Sequence, residues 1–175
     1  MNDPGKDSLR IQPYLADITA AAIAQGVRPS VLAGVCSRET WFGWAPGYTP
    51  RGTHLGFGDN GDGFGLFQAD RRTKAREIIG GDLDLPRGQA DLAAKELAGN
   101  YRLLGLLFPQ MPHAMLEQAM CSAYNAWLGK VAGQIAAGRN PDEVTTPGPS
   151  GRGDYGSDVL QRADRLLRDI PALGG

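Results

Sequence analysis

Ser37-Arg38-Glu39-Thr40 and, after a loop, Gly58-Asp59-Asn60-Gly61-Asp62-Gly63-Phe64-Gly65-Leu66-Phe67-Gln68-Ala69-Asp70 decide how this chain reads. The first run closes a segment whose apolar residues Val31, Leu32, Val35 and Cys36 recur at helical spacing. Glu39 follows Val35 by four residues and Cys36 by three, so it projects from the inward side of that helix, at the edge of the core. The second run sets three acids, Asp59, Asp62 and Asp70, in and just after a glycine-studded turn. Within it, residues 64–68 read as a short strand, the one convincing β signal, which predicts a small hairpin. Carboxylates on opposite walls of a groove are the simplest arrangement these two runs allow.

Between the runs, residues 43–58 form a long irregular connection. A loop of that length in a compact domain is either functional or disordered, and Trp44, Tyr48 and Phe57 argue against disorder. Upstream, the spacing predicts a helix over 13–24 with Leu15, Ile18, Ala22 and Ile23 inward and Gly26 as its stop. Ser30 reads as the N-cap of the Glu39 helix, with Gly43 and Pro46 ending it. Downstream, helices are predicted over 71–79, 89–107, 113–127, 130–137 and 154–169. The 89–107 stripe is Leu92, Ala93, Leu97, Tyr101, Leu104 and Phe108; Met115, Ala119, Met120, Ala123 and Tyr124 face inward on the next. The Gly- and Pro-rich stretch 138–153 reads as a surface loop. Residues 1–7 read as a disordered tail and 8–175 as one domain, mostly α (α+β), with a small β-hairpin or sheet beside the helices.

Composition narrows the function. A net charge of −1 gives no electrostatic footprint for nucleic acid or an anionic membrane. No apolar run approaches the roughly 20 residues needed to span a bilayer, so no membrane insertion is expected. Met1 to Lys6 carry no apolar stretch, so the chain as read opens with no secretory leader; it works where it is made, or a leader has been removed, or export takes another route. Cys36 and Cys121 fall in predicted amphipathic helices, where buried free thiols are the preferred reading; one bridge between packed helices is the alternative and implies an oxidising compartment. Two cysteines and the scattered His54 and His113 make no zinc site, and no cofactor is called for.

Glu39 is the candidate acid. A helix C-terminus disfavours a carboxylate, and Trp41, Phe42 and Trp44 follow directly to desolvate it; both effects raise a carboxyl pKa. A surface glutamate paired with Arg38 is the plainer alternative. Counted as a calcium loop from Asp59, position 6 is Phe64 where glycine is needed, and positions 3 and 5 are glycines without side-chain oxygens, so an EF-hand is excluded. Asp62 reads as an Asx-turn residue. No Lys-Ser/Thr follows the glycines, so a phosphate cradle is weak. Glu39 facing Asp59 or Asp70 does meet the need of glycoside hydrolysis, in which one carboxyl protonates the leaving oxygen and the other activates water or attacks the sugar.

Taken together, four motifs resemble goose-type lysozyme, in the lysozyme-like superfamily shared with lytic transglycosylases. They are Ser37–Thr40; Gly58 to Arg72; Ser122-Ala123-Tyr124-Asn125-Ala126; and Asp154-Tyr155-Gly156-Ser157-Asp158-Val159, in the family's order over residues 30–168. The resemblance implies a lysozyme-like fold, helices around a central buried one with a small sheet beside the cleft. It implies a bacteriolytic, antimicrobial glycosidase that hydrolyses the β-1,4 bond between N-acetylmuramic acid and N-acetylglucosamine in bacterial peptidoglycan, with inversion. By position, Glu39 matches the general acid, Asp59 and Asp70 the water-activating aspartates, and Gln68, Tyr124, Asn125 and Tyr155 the sugar contacts. It also implies a monomer secreted or delivered to the cell wall or periplasm, and a proteinaceous lysozyme inhibitor as a conceivable partner. Departures are a longer connection at Trp44 to Thr53, Lys74 in place of a histidine, no bird-type disulfides, and near-neutral charge.

Two other readings are weighed. A lytic transglycosylase uses one glutamate and forms a 1,6-anhydro product without water; the aspartate pair argues for hydrolysis. A non-catalytic wall-binding module would have no need of Glu39, Asp59 and Asp70.

Overall fold

The structure, a computed structural model, describes residues 4–147 and 153–174. The chain divides into two compact units: one runs to Ala94 and resumes at Arg162, the other is Lys95–Gln161. The described residues are mostly helical with one small sheet, as the sequence predicts.

In the first unit a 3-10 turn Pro4–Lys6 leads into α1 (Asp7–Arg10), then α2 (Leu15–Gln25) and α3 (Pro29–Thr40). Gly26, at φ 68°, stops α2 in the left-handed conformation that glycine adopts freely. The N-cap of α3 is Arg28, not Ser30; Pro29 takes the first helical position, where its missing N–H costs nothing, and Ser30 is buried in the first turn. The amphipathic expectation for α3 is corrected too. Every residue from Pro29 to Ser37 is buried, so α3 is wrapped on all sides and packs against α2 and the 3-10 turn Pro171–Gly174. Ile23, expected inward on α2, is exposed, and Ala21 is buried instead.

The tail expected over residues 1–7 is corrected at its end; residues 1–3 lie outside the described residues. Asp7 is only 3% exposed. It accepts a short hydrogen bond from Ser37 Oγ and pairs with Arg10 at 3.2 Å. Arg162 Nη1 donates to Ser37 Oγ at 2.9 Å and lies 3.9 Å from Asp7. A buried carboxylate between two guanidiniums is compensated, whereas one left alone would be costly. Burial pushes the Cys36 thiol well up, and the nearby charge of Asp7 adds to this; Cys36 and Cys121 are both buried and are not joined in a disulfide.

The sheet is antiparallel in the order β1 (Phe57–Gly58), β2 (Gly63–Phe64), β3 (Ala69–Asp70). Residues 65–68, read from sequence as strand, are instead the turn between β2 and β3. Their apolar content has another cause: Leu66 and Phe67 are buried as a plug, not paired as a strand. α4 (Ala75–Ile79) follows, and the first turns of α5 (Pro86–Leu107) close this unit.

The second unit takes the rest of α5, α6 (His113–Ala126), α7 (Leu128–Ala136), a 3-10 turn Pro141–Val144 and the first turns of α8 (Tyr155–Asp169). Leu104, Leu116, Ala119, Ala123, Ala126 and Val131 form its core. Met115 faces solvent, and Leu116 takes the inward place predicted for it. Trp127 joins α6 to α7. The predicted loop 138–153 holds a buried anchor, Asp142, while residues 148–152 lie outside the described residues. The Asp142 carboxylate accepts from the backbone N–H groups of Gly156 (2.6 Å) and Ser157 (3.0 Å), from Ser122 Oγ (2.7 Å) and from Gln118 Nε2 (2.8 Å). It thereby satisfies orphan donors in the first turn of α8.

Candidate active site

Glu39 sits in the last turn of α3, half-buried. The helix ends on Trp41 and Phe42, both at positive φ (50° and 55°), so the chain turns before the predicted stop at Gly43. Thr40 organises this turn. Its Oγ1 accepts from Gly43 N–H at 3.1 Å, and its carbonyl accepts from Trp44 and Ala45 at 2.8 Å. The same hydroxyl donates to the carbonyl of Leu66 at 2.8 Å. The residue after Glu39 is thus bonded directly to the β2–β3 turn.

That turn is tethered a second time by Gln89, 3% exposed in the first turns of α5. Its Oε1 accepts from Leu66 N–H at 2.8 Å, and its Nε2 donates to the carbonyls of His54 and Leu83, each at 2.8 Å. Gly65 lies against this amide at φ 72°; a Cβ there would meet Gln89 Oε1 at 2.6 Å.

The sheet aligns the acids. Gly58 pairs with Gly63, and Gly63 with Asp70, in one row across the strands. The backbones of Gly58 and Asp70 therefore stand about 10 Å apart, two strand spacings, and Asp59 follows Gly58 directly. Over this row lies the Gln68 side chain: a Cβ on Gly58 or Gly63 would collide with its Oε1. Its Nε2 donates to the Gly65 carbonyl at 2.9 Å. Asp59 and Asn60 adopt positive φ (47° and 56°), which short polar side chains tolerate best among non-glycine residues.

Glu39, Asp59 and Gln68 line one pocket of about 530 Å³, together with Ala45 to Thr49, Phe57, Gly58, Asn60 and Gly61. The long connection supplies much of its wall. Tyr48 anchors that segment: it is buried, accepts from Gly56 N–H at 2.9 Å, and burial raises its pKa. Thr49 bridges Phe57 in an isolated antiparallel pair. The expected aromatic shield is corrected here. Phe42 is buried in the core, Trp41 stacks under Arg10, Trp44 covers Gly52, and none of the three lines the pocket; Tyr48 and Phe57 do.

The two aspartates differ. Among the described residues the Asp59 carboxylate makes no hydrogen bond or ion pair, and it faces the pocket. Asp70 does not line it. Arg72 grips both Asp70 oxygens, from Nε at 3.0 Å and Nη2 at 3.1 Å, and its backbone N–H adds a third bond at 2.8 Å. These hydrogen bonds hold the Asp70 carboxyl below the usual carboxylate range. Tyr124, Asn125 and Tyr155 belong to the second unit. Asn125 Oδ1 accepts from Thr146 N–H at 2.8 Å, Tyr124 is half-buried, and Tyr155 is buried at 2% exposure. Sequence reasoning missed Thr40, Gln89, Asp7 and Asp142. Gln89 had a signal: it sits three and four residues before Leu92 and Ala93, a polar group on the apolar stripe.

No family model matches the chain. It is similar to lysozyme g of Struthio camelus, with 33% identity over 159 residues, 90% of this chain and 68% of that protein. Lysozyme G of Dromaius novaehollandiae shares 31% over 140 residues, 78% of this chain and 57% of its own length. Lysozyme g of Gallus gallus shares 29% over 161 residues, 90% of this chain and 65% of its own length. The chain thus spans 57% to 68% of the length of these relatives. With Glu39 and Asp59 facing one pocket and this extent of shared sequence, the chain belongs to the goose-type lysozyme family of glycoside hydrolases.

Proposed function

We propose that this chain hydrolyses the β-1,4 bond between N-acetylmuramic acid and N-acetylglucosamine in bacterial peptidoglycan, with inversion. The observation that carries the reading is the pocket shared by Glu39, Asp59 and Gln68. Glu39 donates a proton to the leaving oxygen. Asp59, the carboxylate with no bond among the described residues, accepts a proton from the attacking water. Asp70 stands one sheet width away and acts second, its charge balanced by Arg72 but with lone pairs left to orient water. Gln68 presents its carbonyl oxygen over Gly58 and Gly63, where a sugar amide or hydroxyl can donate to it. Tyr124, Asn125 and Tyr155 are assigned to sugar binding by the family resemblance of their motifs alone.

An inverting enzyme holds its carboxyls roughly 6.5–9.5 Å apart, leaving room for the water. A rigid helix end and a hairpin, bonded through Thr40 and Leu66, are suited to keep such a gap constant. Peptidoglycan lies outside the cytoplasmic membrane, so the enzyme acts there, secreted or delivered to the wall. Among the described residues no helix is long and apolar enough to cross a membrane.

Mass spectrometry of digested peptidoglycan tests the reaction class. Reducing-end muropeptides are expected, with the inverted anomer seen by NMR in the first minutes. Anhydro-muropeptides as the main product would mean a lytic transglycosylase instead.

A further inference from the structure

Arg71 and Arg72 are neighbours with opposite fates. Arg72 is committed to both oxygens of Asp70. Arg71 makes no ion pair among the described residues. Its side chain is nonetheless held in place. Nη1 donates to the Gly61 carbonyl at 2.9 Å, and the guanidinium lies 5.4 Å from the centroid of the Phe57 ring. Phe57 is braced in turn by Phe64 at 5.2 Å. Phe57 and Gly61 both line the Glu39–Asp59 pocket. An exposed cation is thus fixed against the pocket wall with one of its five N–H donors used.

We propose that Arg71 selects substrate by binding a carboxylate carried on the glycan beside this pocket. The inference rests on the peptidoglycan reading above. In that polymer only the muramic ring bears a lactyl group, which carries a carboxylate itself or is joined to a stem peptide with carboxylates of its own. A guanidinium stacked on an aromatic face keeps its edge donors available, and the fork matches a carboxylate through two parallel bonds. Because Gly61 and Phe57 already restrain the side chain, little rotamer freedom remains to be lost on binding. The chain's 18 Lys and Arg are offset by 19 Asp and Glu, −1 overall, so selection for an anionic ring falls to a local cation rather than to a general field.

The test is calorimetric binding at low ionic strength, with Glu39→Gln introduced throughout to prevent turnover. Three oligosaccharides of equal length serve as probes: an N-acetylglucosamine oligomer, a peptide-free alternating oligomer with lactyl carboxylates, and the same oligomer carrying stem peptides. The readout is the ratio of anionic to neutral affinity. Arg71→Ala should lower that ratio about threefold to tenfold, and Arg71→Lys should keep part of it. Added salt should compress it in the parent and leave Arg71→Ala little changed. A fall seen with the peptide-free oligomer assigns the lactyl carboxylate; a fall seen only with the stem-peptide oligomer assigns the peptide. An unchanged ratio overturns the inference, as does equal weakening on all three probes, which would make Arg71 a mere brace for Phe57. Cleavage by the unmutated chain is assayed separately. Binding with the expected ratio but no cleavage would sink the hydrolase reading and leave carboxylate selection standing; binding of no probe would overturn both.

Discussion

Thr40 donates its hydroxyl to the carbonyl of Leu66 over 2.8 Å, joining the helix turn that carries Glu39 to the hairpin turn that carries Gln68. One buried hydrogen bond thereby couples the position of the acid to that of the opposite wall. Thr40→Val keeps the shape but leaves the Leu66 carbonyl and the Gly43 N–H without their partner. Urea denaturation should show a loss of about 1–3 kcal/mol. The kcat on peptidoglycan should fall more than KM changes, and Thr40→Ser should restore most of both.

Gln89 makes three bonds to backbone that no other side chain replaces in the structure. Gln89→Ala strands one N–H and two carbonyls and opens a gap beside Gly65. The expected cost is about 3 kcal/mol, which for a chain of this size lowers Tm by roughly 10 °C. Calorimetry checks this, and a shift under about 2 °C would mean that Gln89 does not tether the turn.

The Asp70–Arg72 pair gives a pH signature. The folded pKa of Asp70 lies below its ordinary value of about 3.9, so folding is favoured by its charge above that value. The contribution is lost as pH falls through about 4 towards the lower folded pKa. Both side chains meet solvent, so the effect on stability is small. Carboxyl-resolved NMR titration is the direct check: Arg72→Ala should bring the Asp70 pKa up towards its ordinary value.

Much of this was legible in the chain because its signals were periodic or punctuated. Gly26 stops α2, Pro109 follows the end of α5, and the stripe Ala93, Leu97, Leu104 is buried as spaced. Glu39, Asp59 and Gln68 do reach one pocket. What periodicity could not carry is tertiary satisfaction of polar groups. Asp7 looked like tail because its partners, Ser37 and Arg162, are distant in sequence. Leu66 and Phe67 looked like strand because a buried turn and a buried strand have the same composition. The shield assigned to Trp41, Phe42 and Trp44 failed because positive φ at Trp41 and Phe42 redirects the chain where no glycine marks the turn. Asp70 showed a related limit: its partner, Arg72, is two residues on in sequence, but only the geometry shows that it holds both oxygens.

In the proposed reaction Glu39 supplies the proton to the leaving oxygen. The most direct measurement is kcat/KM on purified peptidoglycan for Glu39→Gln beside the unmutated chain, with Tm recorded for both. A loss of at least about 100-fold in kcat/KM is expected, with Tm moved by no more than about 2 °C. Activity within tenfold of the unmutated chain, in a variant that folds as well, would contradict it.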